Sequence, residues 1–151
     1  MKKKVIGLIP TRLGSKRLPQ KALLEINNLP LIIHTYRRAK LSKFLDDVVI
    51  CCDDKKLINI IKKYKAKAIL TSSNHKNGTE RICEAYQKLN KKYDLVIDIQ
   101  GDEPLISPHH IDSVIKFHQK NNNYDIILPT LKRKSLVNQN IIKVITNLKN
   151  E

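Results

Sequence analysis

Residues 10–21 read P-T-R-L-G-S-K-R-L-P-Q-K and directly follow the apolar run V-I-G-L-I. Arg12, Lys16, Arg17 and Lys21 set four cations beside the small pair Gly14 and Ser15. A loop of this composition at the end of a buried strand can wrap backbone N–H groups and charge around a polyphosphate. Lys21 and Arg17 suit the negative charge that builds on a phosphate during transfer, and Arg12 can fork onto its oxygens. The stretch has neither the GxxxxGK[ST] of a P-loop nor the GxGxxG of a dinucleotide fold. Taken alone, it is explained slightly better as a solvated basic loop.

Two further stretches bear on that choice. Q-G-D-E-P at residues 100–104 follows L-V-I-D-I. There Asp102 can hold Mg²⁺ while the ion also grips phosphate oxygens; the competing reading is a turn stopped by Pro104. Glu103 reads as a structural neighbour and Asp98 as a sheet-face or edge residue. The third stretch, H-K-N-G-T-E-R at residues 75–81, opens a helix. The N–H groups of Gly78 and Thr79 can meet a base or sugar, and Arg81 can pair with a substrate carboxylate. In isolation the simpler account is a Glu80 that complements the helix dipole and a solvated Arg81. His75, His109 and His110 lack metal-ligand spacing, and no Ser/His/Asp or Cys/His arrangement suggests acyl chemistry.

The elements that must position these loops alternate along the chain. Lys4 to Pro10 is a continuous apolar run, as in a strand covered on both faces. Residues 30–41 carry Ile32, Ile33, Tyr36 and Ala39 at helical spacing, and Val48 to Cys52 is a second strand. Asp54 caps a helix with the stripe Leu57, Ile60, Ile61 and Tyr64. Ala66 to Leu70 reads as a third strand, and a helix runs from Thr79 to about Asn90. Leu95 to Ile99 is a fourth strand. Ser107 caps a helix with Pro108 at its first position. Asp125 to Pro129 and Ile141 to Thr146 complete the set of strand-like segments. The pattern predicts an open, mostly parallel α/β sheet, whose ligands bind beyond the carboxyl ends of its strands. Of the four glycines, Gly14, Gly78 and Gly101 fall in the three loops at those ends and Gly7 lies within the first strand. One composite site follows from that distribution.

Composition narrows the function classes. The 151 residues suit a single domain spanning 1–151, and 41% hydrophobic content suits a globular one. The longest apolar runs fall well short of the ~18 residues of a membrane helix. The apolar run after M-K-K-K is too short for a signal peptide and is followed by cations, so a cytoplasmic protein is expected. The net charge of +15 comes from 29 cations, only six of them Arg, scattered over almost every segment. With 5% aromatics and no Trp, a base-stacking platform is poorly supplied, so nucleic acid is not the expected partner. Cys51, Cys52 and Cys83 form no CxxC and suit reduced thiols, the adjacent pair in the core.

In combination, I-P-T-R-L-G-S-K-R-L-P-Q-K, L-P-L-I-I-H-T, H-K-N-G-T-E-R-I-C-E, V-I-D-I-Q-G-D-E-P-L-I and N-I-I-K-V-I resemble the cytidylyltransferases that activate acidic sugars. The resemblance runs through nearly the whole chain and is strongest to the 3-deoxy-manno-octulosonate (Kdo) cytidylyltransferase family. N-G-T-E-R with Q-G-D-E-P is fairly specific to that branch, since the sialic-acid relatives use a different text in both loops. The resemblance implies a Rossmann-like nucleotidyltransferase sheet in which Arg12 and Lys21 hold the CTP phosphates, with Arg17 and Ser15 close by and Pro10 and Thr11 also among the nucleotide-binding residues. It implies Asn77 and Gly78 near the cytosine, Arg81 and Gln100 at the sugar acid, and Asp102 as a Mg²⁺ ligand. It also implies formation of CMP-Kdo and pyrophosphate from CTP and Kdo, for lipopolysaccharide synthesis, with Lys21, Arg12 and Arg17 neutralising charge. Thr11 stands where the family usually has Ala, Asn77 where Ser is common and Cys52 where Thr is common; none of these removes a charge. The family's C-terminal part, which supplies a second metal carboxylate, much of the sugar pocket and the dimer contacts, has no counterpart here. Two alternatives stay open: a cytidylyltransferase for another acidic sugar, and a non-catalytic nucleotide-binding module.

Overall fold

The structure, a computed structural model, describes residues 3–14, 18–130 and 144. Its centre is β1, Val5–Pro10, whose side chains are buried on both faces because layers cover both sides of the strand. Val5 and Ile9 face a cluster with Ile32, Ile33, Leu57 and Ile115; Ile6 and Leu8 face the opposite cluster with Val49, Ile82 and Ala85. Period-two alternation produces this division, and it explains why the run is apolar throughout.

A short 3₁₀ turn, Lys21–Leu23, leads into a hairpin of β2, Glu25–Ile26, and β3, Leu29–Pro30. The chain then alternates through α1 (Leu31–Ala39), β4 (Asp47–Cys52), α2 (Lys55–Lys63), β5 (Ala68–Leu70), α3 (Gly78–Gln87), β6 (Leu95–Asp98) and α4 (Pro108–Lys120). The main sheet has the order β5-β4-β1-β6, all parallel, with Leu8 opposite both Val49 and Asp98. Helices α1, α2 and α4 cover one face and α3 the other. The chain builds outward from β1 through β4 to β5, then returns to add β6 on the other side of β1. The α/β expectation is met, and the β1–β6 boundary is the switch point where such sheets take ligands.

Local chemistry fixes the boundaries. The Asp54 side chain accepts from the N–H groups of Lys56 at 2.6 Å and Leu57 at 3.2 Å, as its N-cap reading requires. Ser107 and Pro108 do open α4, although the Ser107 side chain makes no capping bond. Buried Asp112 accepts from Ser42 Oγ at 2.5 Å and from the Lys43 N–H at 3.1 Å, tying α4 to the turn before β4.

Two sequence expectations need correction or restriction. Asp125–Pro129 forms no strand; it has no ladder partner among the described residues, and Ile126 and Leu128 are 83% and 66% exposed. The strand expected over Ile141–Thr146 lies outside the described residues except for Val144. The hairpin at residues 25–30 escaped the sequence reading. Its turn residues Asn27 and Asn28 adopt φ of 49° and 60°, a conformation that Asn tolerates well. Among the described residues no helix is long and apolar enough to cross a membrane.

Candidate functional site

All three glycine-bearing loops leave the carboxyl end of the sheet, and two of them close on the end of β1. A Cβ placed at Gly78 would lie 3.2 Å from Pro10 Cγ, and one at Gly101 would lie 2.8 Å from the Pro10 carbonyl oxygen. Only glycine lets the loop after β6 come this close to the end of β1. The Thr11 N–H donates to the Cys51 carbonyl at 2.9 Å, carrying the β1–β4 ladder one residue into the first loop. From α1, Thr35 Oγ1 donates to the Gly101 carbonyl at 3.3 Å and Arg38 Nε to the Ile106 carbonyl at 3.1 Å. The third loop is therefore held from two sides.

Across this junction the Lys21 ammonium forms an ion pair with Asp102. Lys21 stands at the start of the 3₁₀ turn, which follows Gln20 in the left-handed region at φ 52°. Its side chain is 33% exposed and that of Asp102 48%, so the pair contributes only about 0–1 kcal/mol to stability. What it establishes is proximity: the first and third loops bring a cation and a carboxylate to one point. Arg12, in the same loop as Lys21, is exposed, and Pro10 and Thr11 are half-buried. Ser15 and Arg17 lie outside the described residues.

The donor set suits a hard cation held by one protein carboxylate and ligand oxygens. Among the described residues, no three His, Cys, Asp or Glu side chains gather as a metal cage. Mg²⁺ bound through a single carboxylate together with phosphate oxygens and waters needs no such cage, and Asp102 is the carboxylate at this junction that could serve. The adjacent open depression of about 420 Å³, lined by Glu103–Ser107 and His110, contains none of the candidate ligand residues.

The middle loop is built around α3. Asn77 Oδ1 accepts from the Glu80 N–H at 2.8 Å, Asn77 Nδ2 donates to Glu80 Oε1 at 2.9 Å, and the Lys76 N–H donates to Glu80 Oε2 at 2.8 Å. This reciprocal cap fixes Asn77 and Gly78 at the positive end of the helix dipole. Farther along α3, Glu84 binds Lys88, the Ser72 N–H at 2.8 Å and His75. These partners, Lys88 foremost, draw the Glu84 carboxyl down to about 2. A depressed carboxyl stabilises the fold above its unfolded value and loses that contribution as pH falls toward its folded value. The expected result is that the melting temperatures of the unmodified protein and Glu84→Gln differ at neutral pH and converge between about pH 4.5 and 2. A difference that persists unchanged at pH 2 would show that the carboxylate does not anchor the loop.

Arg81 is only 3% exposed. Its Nη1 donates to Thr71 Oγ1 at 2.6 Å and to the Ser72 carbonyl at 3.1 Å, and its Nη2 to Asp53 Oδ2 at 3.4 Å. This geometry commits the guanidinium to the protein interior, whereas the sequence reading aimed it at a substrate carboxylate. Gln100 is exposed, with Nε2 3.4 Å from Asp98 Oδ1. Asp98 ends β6, and desolvation raises its carboxyl above the ordinary value. Asp53, which the sequence reading did not single out, accepts the Leu13 N–H at 3.1 Å in addition to facing Arg81. The signal for it was the adjacent acid pair Asp53–Asp54 after an apolar run. Cys51 and Cys52 are fully buried, and burial pushes both thiols up to about 12, which fits core residues without chemistry.

Comparison with known proteins follows the same lines. A family model described as cytidylyltransferase matches residues 6–151. A 3-deoxy-manno-octulosonate cytidylyltransferase of Thermodesulfovibrio yellowstonii is 43% identical over 150 residues, covering 93% of this chain and 58% of that protein. The mitochondrial 3-deoxy-manno-octulosonate cytidylyltransferase of Arabidopsis thaliana is 39% identical over 146 residues, covering 95% of this chain and 50% of that protein. A solved CMP:2-keto-3-deoxy-manno-octonic acid synthetase complexed with CTP superposes with a TM-score of 0.75 at 34% identity, over 79% of this chain and 48% of the other. The chain thus spans about half the length of the curated relatives it matches.

Proposed function

The chain belongs to the cytidylyltransferase family, and on that premise we propose that it takes part in activating Kdo with CTP, giving CMP-Kdo and pyrophosphate for lipopolysaccharide synthesis in the cytoplasm. The observation that carries the proposal is the meeting of Lys21 and Asp102 beside the Pro10–Gly101 contact, at the switch point of a parallel sheet. A cation and a metal-competent carboxylate at that point suit a nucleoside triphosphate.

In the proposed reaction the anomeric hydroxyl oxygen of the sugar acid bonds to the α-phosphorus. The bond from that phosphorus to the β-bridging oxygen breaks, pyrophosphate leaves with the electron pair, and the hydroxyl proton passes to solvent. The protein does little covalent work here; orientation and charge neutralisation account for the acceleration. Lys21 and Arg12 neutralise phosphate oxygens, with Arg17 and Ser15 of the same loop contributing further contacts. Asn77 and Gly78, at the capped start of α3, are assigned to the cytosine, whose polar edge the backbone groups of this turn can recognise. Gln100, exposed at the start of the third loop, is assigned to the sugar acid, and Arg81, also assigned there by the family resemblance, holds the middle loop through Thr71 and Ser72. Asp102 would hold Mg²⁺, which when bound draws phosphate oxygens together and withdraws charge from the reacting phosphorus.

The test is pyrophosphate release from CTP, Kdo and Mg²⁺ by this chain, with CTP binding measured in parallel. Release dependent on Kdo is the expected result. CTP binding without release leaves a nucleotide-binding module, and absence of CTP binding overturns the proposal.

A further inference from the structure

We propose that Asp53 is a positioning residue that fixes the first loop in its ligand-binding shape by joining it to the middle loop; this rests on the nucleotide reading above. Asp53 directly follows β4, at the carboxyl end of the sheet. Its side chain is 13% exposed. One carboxylate oxygen accepts the Leu13 N–H at 3.1 Å, a bond spanning 40 residues of sequence, and the other faces Arg81 Nη2 at 3.4 Å. Leu13 immediately follows Arg12 and precedes Gly14, so the bond holds the backbone between the exposed cation and the small pair.

The other end of the link is equally fixed. Arg81 is nearly fully buried and also binds Thr71 and Ser72, at the start of the loop that leads to Asn77. Thr71 in turn donates its N–H to the Cys52 carbonyl at 2.8 Å and its hydroxyl to the same oxygen at 3.1 Å. A single carboxylate thus connects the phosphate side and the base side of the candidate site. Neighbouring Asp54 is occupied as the α2 cap, which leaves Asp53 alone for this task. Asp53 touches no substrate in this scheme; it sets the conformation from which Arg12 reaches the phosphates. A misplacement of about 1 Å in such a group costs on the order of 10²-fold in rate.

The experiment combines CTP titration with amide hydrogen exchange on the full chain and two variants. In the unmodified protein, the Leu13 amide should be protected without ligand. In Asp53→Ala it should exchange freely while Ile9 and Ile50 stay protected, and CTP affinity should fall by about 10- to 100-fold. Asp53→Asn keeps an oxygen for Leu13 and should recover most of the protection and affinity. An unprotected Leu13 amide in the unmodified protein overturns the inference, as does a folded Asp53→Ala that binds CTP normally. If Asp53→Ala does not fold, Asp53→Asn decides: protection with near-normal affinity supports the role, and protection with the full loss of affinity refutes it. Failure of the unmodified protein to bind CTP would instead overturn the nucleotide reading, and Leu13 protection would still report on the link.

Discussion

Replacing Lys21 by alanine is expected to lower CTP affinity at least about 10-fold and turnover by about 10²–10³-fold, the range found when one preorganised donor to developing charge is removed. Lys21 is anchored on the 3₁₀ turn, with its N–H donating to the Leu18 carbonyl at 3.2 Å, so its ammonium is delivered from a defined backbone. Its ion pair with Asp102 is partly exposed and adds little to folding. The variant should accordingly unfold within about 1 kcal/mol of the unmodified protein. Loss of function without loss of stability is the signature to look for. Calorimetric titration with CTP and Mg²⁺ at fixed ionic strength measures it, and an unchanged dissociation constant would refute the phosphate role of the first loop. Lys21→Arg should restore charge but only part of the affinity, because a planar fork does not reproduce a compact ammonium.

The second large effect is expected at Gly101. Alanine there would set its Cβ 2.8 Å from the Pro10 carbonyl oxygen, with Ile32 Cδ1 at 3.3 Å and Thr11 Cβ at 3.5 Å. Pro10 ends β1 and Thr11 follows it, and both are tied to β4, by the Pro10–Cys51 pairing and by the Thr11 N–H bond to the Cys51 carbonyl. The clash can be relieved only by moving the third loop away, against the Thr35 hydrogen bond to the Gly101 carbonyl. A destabilisation of about 1–3 kcal/mol is expected, read as a lower urea midpoint at unchanged slope. Metal-dependent CTP binding should fall with it, since Asp102 is the next residue. Gly14→Ala is the control: among the described residues nothing lies within 4 Å of its Cβ, and its φ is not positive. Equal stability of Gly101→Ala and Gly14→Ala would contradict the close approach.

Much of the architecture was legible because each main-sheet strand and helix carries its own period. β1 and β4 are continuous apolar runs, and Leu57 and Ile61 fall on the buried stripe of α2. The capping residues Asp54 and Asn77 act locally, so their neighbours in sequence were enough to locate the starts of α2 and α3, although only Asp54 was read as a cap. What escaped was decided by tertiary contacts or by segments too short to show a period. The two-residue strands Glu25–Ile26 and Leu29–Pro30 are of that kind. Asp125–Pro129 has the apolar residues of a strand, but strand formation requires a partner that sequence pattern does not reveal.

The site was legible by loop and less so by residue. Lys21 and Asp102 meet, as their positions at two strand ends suggested. Arg81 shows the limit: helical position identifies it as an early-turn cation, yet only the fold shows that its turn faces Thr71, Ser72 and Asp53. Asp53 and Asp54 are chemically identical neighbours, and only the direction of the chain after β4 gives one to the helix and the other to the loops.

A side chain at Gly78 would crowd the Pro10 ring and one at Gly101 the Pro10 carbonyl oxygen, so a single residue limits both loops. The tolerance of each loop to substitution is therefore conditional on the others. A larger residue at position 78 or 101 becomes acceptable only with a compensating change at position 10 or in the remaining loop, so energetic effects within this trio should be strongly non-additive.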